Sequence, residues 1–218
     1  MARLRDHNDR LLAQEVIEAL VTHETSFFRD PHYFDELTER VLPRLIARRA
    51  PERRLAIWCA ACSTGQEAYS VAMILRERFA VQLRDWNVEL LATDLSAKAL
   101  QQAQSGRYSD VEVSRGLSAA RLAQHFRRET TTWRIDERLQ KAVRFQQSNL
   151  TGVWPKLPSL DLVLLRNVLI YMSPATRQRI LTRLQQTLHP AGRLMLGSTE
   201  SIGLSSLQNA CVRPDTIP

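Results

Sequence analysis

The chain has 218 residues, 44% of them hydrophobic, and a formal charge of +7. That supports one substantial core with a small appendage, while no apolar run approaches the ~20 residues of a membrane span and the first ten residues hold no signal-peptide core. Three cysteines at unrelated spacing suggest reduced thiols in a cytoplasmic protein, and Cys59 and Cys62 have no nearby Cys/His pair to complete a metal site, so no metal is assigned.

In chain order, Leu11, Leu12, Val16, Ile17, Leu20 and Val21 read as an amphipathic helix. A polar break, Thr22-His-Glu-Thr25, and Ser26-Phe-Phe-Arg-Asp-Pro31 precede a second helix marked by Tyr33, Phe34, Leu37, Val41, Leu42 and Leu45. Leu55-Ala-Ile-Trp58, the small residues Ala60 to Gly65, and Ala68, Val71, Ala72, Leu75 and Phe79 at helical spacing predict strand, tight turn and helix. This is the opening unit of a nucleotide-binding α/β fold, in which small residues admit a ligand to the backbone. A lone glycine satisfies neither the dinucleotide nor the phosphate-loop pattern.

Val88 to Ala92 predicts a second strand ending at Thr93-Asp94, with a helix from about Ser96 to Gln104 stopped at Ser105-Gly106. A carboxylate at the end of the second strand is placed to accept both hydroxyls of a ribose; Asp94 serves equally well as a helix cap. Between Arg107 and Gln147 the pattern is irregular. Leu117, Leu122 and Phe126 suggest a short helix, Thr130 to Ile135 a small antiparallel appendage, and Val143 to Gln146 a return to the main sheet, followed by Ser148-Asn149-Leu150. Leu160-Asp-Leu-Val-Leu-Leu165 reads as a central parallel strand. Ser173-Pro174 opens a helix with Ile180, Leu181, Leu184 and Leu188 inward, and Pro190-Ala-Gly192 turns into a last strand, Arg193 to Leu196.

Thr25 and Arg29, Gly65 and Glu67, Asp94, Asn149, and Arg166, Asn167 and Tyr171 fall at strand ends or element junctions, where open parallel sheets bind ligands. No Ser-His-Asp order, carboxylate pair or phosphate-loop lysine is present, which favours a nucleoside cofactor without a phosphate cradle, S-adenosylmethionine above all. The positive excess, in Arg115 to Arg144 and in Arg177, Arg179, Arg183 and Arg193, suits steering toward an acidic protein. Aromatics at 6% do not alternate with basic residues, so no nucleic-acid partner is expected.

Three blocks, Glu24-Thr-Ser-Phe-Phe-Arg-Asp30, Ala60-Ala-Cys-Ser-Thr-Gly-Gln-Glu-Ala-Tyr-Ser70 and Leu165-Arg-Asn-Val-Leu-Ile-Tyr171, with the closing Gly197-Ser-Thr-Glu-Ser201, resemble those of the chemotaxis receptor glutamate O-methyltransferases, the CheR family. The resemblance covers about residues 15–202. It implies a Rossmann-like methyltransferase with an N-terminal helical segment, 1–50, and a methyltransferase domain, 51–218, carrying a small β-subdomain inserted at about 115–142. It further implies that Thr25 and Arg29 approach the cofactor and the transfer site, that Glu67 binds the cofactor's amino-acid end, and that Asp94 binds the ribose. Asn149 and Leu150 would take the adenine region, and Leu165, Arg166 and Tyr171 would line the reaction side. Arg29 and Tyr171 are the candidates for handling the acceptor. His23 stands where the family usually has Asn, and would donate one hydrogen bond toward the cofactor. The implied function is methylation of glutamates on the cytoplasmic domain of chemoreceptors by a cytoplasmic monomer that meets the membrane only through the receptor. A cofactor-binding regulatory module that methylates no receptor is the second reading.

Overall fold

The computed structural model describes residues 24–197, 200 and 211–212. The expected helix over Leu11 to Val21, and His23 with it, lie outside the described residues. The second expected helix is built in three parts: α1 (Pro31–Glu36), a π-helical turn (Leu37–Val41) and α2 (Leu42–Arg49). Its apolar stripe, Tyr33, Phe34, Leu37, Leu42 and Leu45, is buried in the same core cluster as strand residues of the main sheet. Residues before and after position 50 therefore share one core.

The main sheet comprises β1 (Arg54–Ala60), β2 (Asn87–Asp94), β6 (Val143–Gln147), β7 (Leu160–Leu165), β8 (Leu188–Leu196) and β9 (Cys211–Val212). Their order is β6-β2-β1-β7-β8-β9, and every neighbouring pair is parallel. β1 to β2 steps one way and β7 lies on the other side of β1, so the strand order reverses between β1 and β7. The crevice beyond the carboxyl ends at such a reversal is where open α/β sheets hold ligands. Register brings those ends level: Ala60 pairs with both Thr93 and Leu165, and Asp94 with Gln147.

Alternation along β1 divides two cores. Leu55, Ile57 and Cys59 join α1, α2 and α3 (Gln66–Arg78) on one face, while Ala56, Trp58 and Ala60 pack with α8 (Pro174–Thr187) on the other. The near-continuous apolar reading of β7 holds, with one buried exception. Asp161 accepts the Ala56 N–H at 2.8 Å through Oδ2 and forms an ion pair with buried Arg49 at 2.9 Å. A carboxylate survives inside the sheet because it is paired on both oxygens.

Ser96 caps α4 (Ala97–Ser105), accepting the Ala99 N–H at 2.9 Å, and Gly106 ends it in the left-handed region at φ +63°. The appendage is a three-stranded antiparallel sheet, ordered β3-β5-β4, from β3 (Arg107–Tyr108), β4 (Phe126–Arg128) and β5 (Trp133–Ile135). It starts at Arg107, earlier than the expected 115, because β3 is too short to show alternation. α5 (Asp110–Ser114), α6 (Ala119–His125) and α7 (Glu137–Ala142) join these strands. Ser173 caps α8, but β8 begins at Leu188, so the segment expected to turn at Pro190-Ala-Gly192 is strand with an irregular register opposite Leu160 and Leu162.

Candidate functional site

The level strand ends deliver four loops to one rim, and the Glu24–Asp30 segment crosses above them. Together they enclose a cavity of about 390 Å³, within the usual size of small-molecule sites. Thr25, Arg29, Glu67, Asp94, Asn149, Leu150, Arg166 and Tyr171 all line it. Leu165 does not: it ends β7 fully buried in the core, and its neighbour Arg166 reaches the cavity instead.

The loop after β1 uses unusual backbone to bend tightly. Ala61, Ser63 and Gly65 have φ of +61°, +50° and +92°. Ala61, Cys62 and Ser63 line the cavity, whereas Gly65 faces the fold. A Cβ on Gly65 would lie 2.8 Å from the Ala103 side chain, so glycine is required there by packing and by φ rather than by a ligand. Asp94 is held between two backbone donors, Ser63 N–H at 2.7 Å on Oδ2 and Ser96 N–H at 3.0 Å on Oδ1. Since Ser96 is itself the cap, Asp94 is not consumed as one, and its oxygens keep lone pairs at the cavity wall.

Glu67 lies in the first turn of α3, where the positive end of the helix favours an anion. Its Oε2 accepts from Arg166 Nη1 at 3.1 Å. Burial pushes the Glu67 carboxyl up; Arg166 pulls it down, but the net direction is above the ordinary carboxylate range. Arg166 also donates through Nη2 to the Arg29 carbonyl at 2.9 Å and to the Asp30 carboxylate, and its guanidinium carbon stands 4.0 Å from the Tyr33 ring centre. One buried cation thus ties the end of β7 to α3 and to the N-terminal segment. Arg166 Nε and Ser148 Oγ are buried without a hydrogen-bond partner among the described residues, and both residues line the cavity.

Arg29 is half-buried and donates to the Glu24 carbonyl at 2.8 Å. Tyr171, on a 3-10 turn (Leu169–Tyr171), is 71% exposed at the mouth. Asn149 accepts from the Thr151 N–H at 2.9 Å, and buried Leu150 accepts the Trp154 indole N–H at 2.9 Å.

Two contributors, Asp30 and Glu200, were not among the strand-end candidates of the sequence, and Asn167 stood among them without a role of its own. Asn167 lines the cavity at φ +57°, a conformation Asn tolerates better than most residues. Asp30 pairs with Arg166. Glu200 accepts the Val168 and Leu169 N–H groups at 2.9 and 2.8 Å through Oε1 and the Gly197 N–H at 2.8 Å through Oε2. The only sequence signal for Glu200 was its place in the closing block. Cys59 and Cys62 are free and buried, and no metal-holding cluster exists among the described residues.

Residues 23–214 match the family model "CheR methyltransferase, SAM binding domain", where SAM is S-adenosylmethionine. "Chemotaxis protein methyltransferase 1" of Pseudomonas aeruginosa is 39% identical, and "Chemotaxis protein methyltransferase Cher2" of Pseudomonas putida 37% identical, each over 88% of this chain and 70% of the relative. "Chemotaxis protein methyltransferase" of Vibrio anguillarum is 36% identical over 89% of this chain and 70% of its own. With the cavity at the strand reversal and these matches across nearly the whole sequence, the chain belongs to the CheR methyltransferase family and is an S-adenosylmethionine-dependent methyltransferase.

Proposed function

We propose that this chain methylates glutamate side chains on the cytoplasmic domain of chemoreceptors, producing methyl esters, and that it works in the cytoplasm as a monomer. The observation that carries this reading is the joint presence of Arg29, from the N-terminal segment, and of Glu67 and Asp94, from the sheet, around one cavity.

The residues fit the cofactor. Its amino-acid end bears an ammonium and a carboxylate, which complement the Glu67 carboxylate and the unpartnered Arg166 Nε–H. Its ribose complements Asp94, and the Ser148 to Leu150 loop suits the adenine. Bound there, S-adenosylmethionine supplies an activated methyl group on a positively charged sulfur. A glutamate acceptor, with a solution pKa near ~4.3, is already ionised at neutral pH, so the site needs no general base. What the protein must provide is alignment, which can contribute roughly 7–11 kcal/mol. Arg29 steadies the acceptor carboxylate by a charge-assisted pair, Thr25 flanks it, and exposed Tyr171 positions the acceptor at the mouth. Arg166 acts mainly by fixing Glu67 and the Arg29 backbone in one frame.

The test is transfer of labelled methyl from S-adenosylmethionine to a receptor-bearing membrane fraction, followed by mild base. The reading expects label in the receptor that base releases as methanol. Base-stable label, or cofactor binding with no receptor labelling, would overturn it.

A further inference from the structure

The residues around Arg29 are gripped from an unexpected side. Phe28 has φ +47°, in the left-handed region that bulky side chains rarely adopt, and such backbone persists only where its surroundings enforce it. Part of that enforcement comes from the main domain, since the Phe28 N–H donates to Ser70 Oγ of α3 at 3.0 Å, and part from α1, whose Phe34 ring packs edge-on against Phe28 with centroids 5.3 Å apart. A further part comes from the stretch inserted between α4 and β6. The Arg121 guanidinium carbon stands 3.8 Å from the Phe28 ring centre. Its opposite commitment is a fork onto Glu77 of α3, with Nε 3.2 and 3.1 Å from the two oxygens and Nη2 at 2.9 Å. His125 Nε2 holds the same carboxylate at 2.7 Å. Phe27 packs edge-on against Tyr108 and Phe126, with centroids 5.0 and 5.5 Å apart. A Cβ on Gly116 would overlap the Phe27 carbonyl oxygen, so the two backbones touch directly.

We propose that Arg121 is a positioning residue for methyl transfer: clamped by Glu77, its planar face fixes Phe28 and thereby aims the adjacent Arg29 into the cavity. The inserted unit is then part of the transfer machinery and not only an outward-facing appendage. A planar, five-donor side chain suits both tasks, since lysine keeps the charge but has no flat face to lay on a ring. The proposal rests on the reading that Arg29 steadies the acceptor, and a merely structural Arg121 would lower stability without coupling to Arg29.

The experiment is a double-mutant cycle on the full chain, with Arg121→Ala, Arg29→Ala and the double variant. Receptor methylation is measured at saturating S-adenosylmethionine, and S-adenosylhomocysteine affinity by calorimetry. Arg121→Ala should lower the rate about 10- to 100-fold, the scale of small misplacements at a reacting centre, with the affinity changed less than about threefold. In the Arg29→Ala background it should cost less than about twofold further, because the two act as one unit. Arg121→Lys, which retains a partner for Glu77, should keep most of the thermal stability yet lose most of the same rate, and it serves if the alanine variant does not fold. Additive losses with Arg29→Ala impaired, or a wild-type rate in Arg121→Lys, would overturn this proposal alone. A wild-type rate in Arg29→Ala would overturn both it and the reading beneath it.

Discussion

Removing the Glu200 carboxylate should do more damage than any exposed acid in the chain. Its two oxygens serve three backbone donors, Val168, Leu169 and Gly197, and the residue is 6% exposed. Each hydrogen bond to a charged group contributes about 1.5–3 kcal/mol, and a buried donor left unpaired costs about 1–3 kcal/mol. These overlap and water would rescue part of the loss, so Glu200→Ala should destabilise by about 3–5 kcal/mol, a large share of the ~5–15 kcal/mol typical of a native protein. Glu200→Gln tests the logic more finely. Its carbonyl oxygen can still serve Val168 and Leu169, but its amide then points a donor at the Gly197 N–H, so it should fall between wild type and alanine. The assay is urea unfolding, read as a shift in midpoint at constant slope, with S-adenosylhomocysteine binding measured alongside. Because the clamped loop carries Asn167, Val168, Tyr171 and Met172 at the cavity wall, affinity should fall with stability. A Glu200→Ala loss below about 1 kcal/mol would show that the three contacts are not worth their charge-assisted value.

Glu67 sets a pH dependence whose sign follows from burial. Its carboxyl in the cofactor-free fold lies above the ordinary range, so its contribution to stability is present below the unfolded value of ~4.3 and is lost as pH rises through the raised folded value. Pairing with the cofactor's ammonium needs the ionised form, so calorimetry should find affinity weakening as pH falls through that raised value, with proton release on binding, and Glu67→Gln should flatten the dependence. Gly65→Ala should cost about 2–4 kcal/mol in thermal unfolding, since the new Cβ meets Ala103 at 2.8 Å and φ is +92°. Asp161→Ala should cost about 2–4 kcal/mol by leaving the Ala56 N–H without its acceptor and buried Arg49 with Glu52, at 3.0 Å, as its remaining carboxylate, with little effect on cofactor affinity because it lies at the opposite end of β7 from Arg166.

What the sequence disclosed, and what it hid, has a physical pattern. β1, β2, β6 and β7 announced themselves through apolar runs or alternation, and Gly106 and Ser173 through capping chemistry. Elements of two or three residues, such as β3 and β4, have no room for a period, and the helical turns α5 and α7 are scarcely longer. The π-helical turn after Glu36 leaves no mark in a stripe of apolar residues. Asp94 reads equally as a ribose ligand or a cap in sequence, and only the fold shows that Ser96 occupies the cap. Gly65 invited a ligand explanation, yet its neighbour in space is Ala103, 38 positions away in sequence. Glu200 and the Val168 N–H meet only because β7 and β8 are parallel neighbours, a fact of topology that no local window contains. Arg121 on Phe28 is hidden for the same reason.

The central claim is that one cavity both holds the cofactor and presents Arg29 to an acceptor carboxylate. Its most direct test is the single-turnover rate of receptor methylation at saturating S-adenosylmethionine, comparing wild type with Arg29→Ala. Loss of a charge-assisted pair of about 1.5–3 kcal/mol predicts a rate lower by roughly 10- to 100-fold, beyond any change in cofactor affinity. An unchanged rate at saturation would contradict the account.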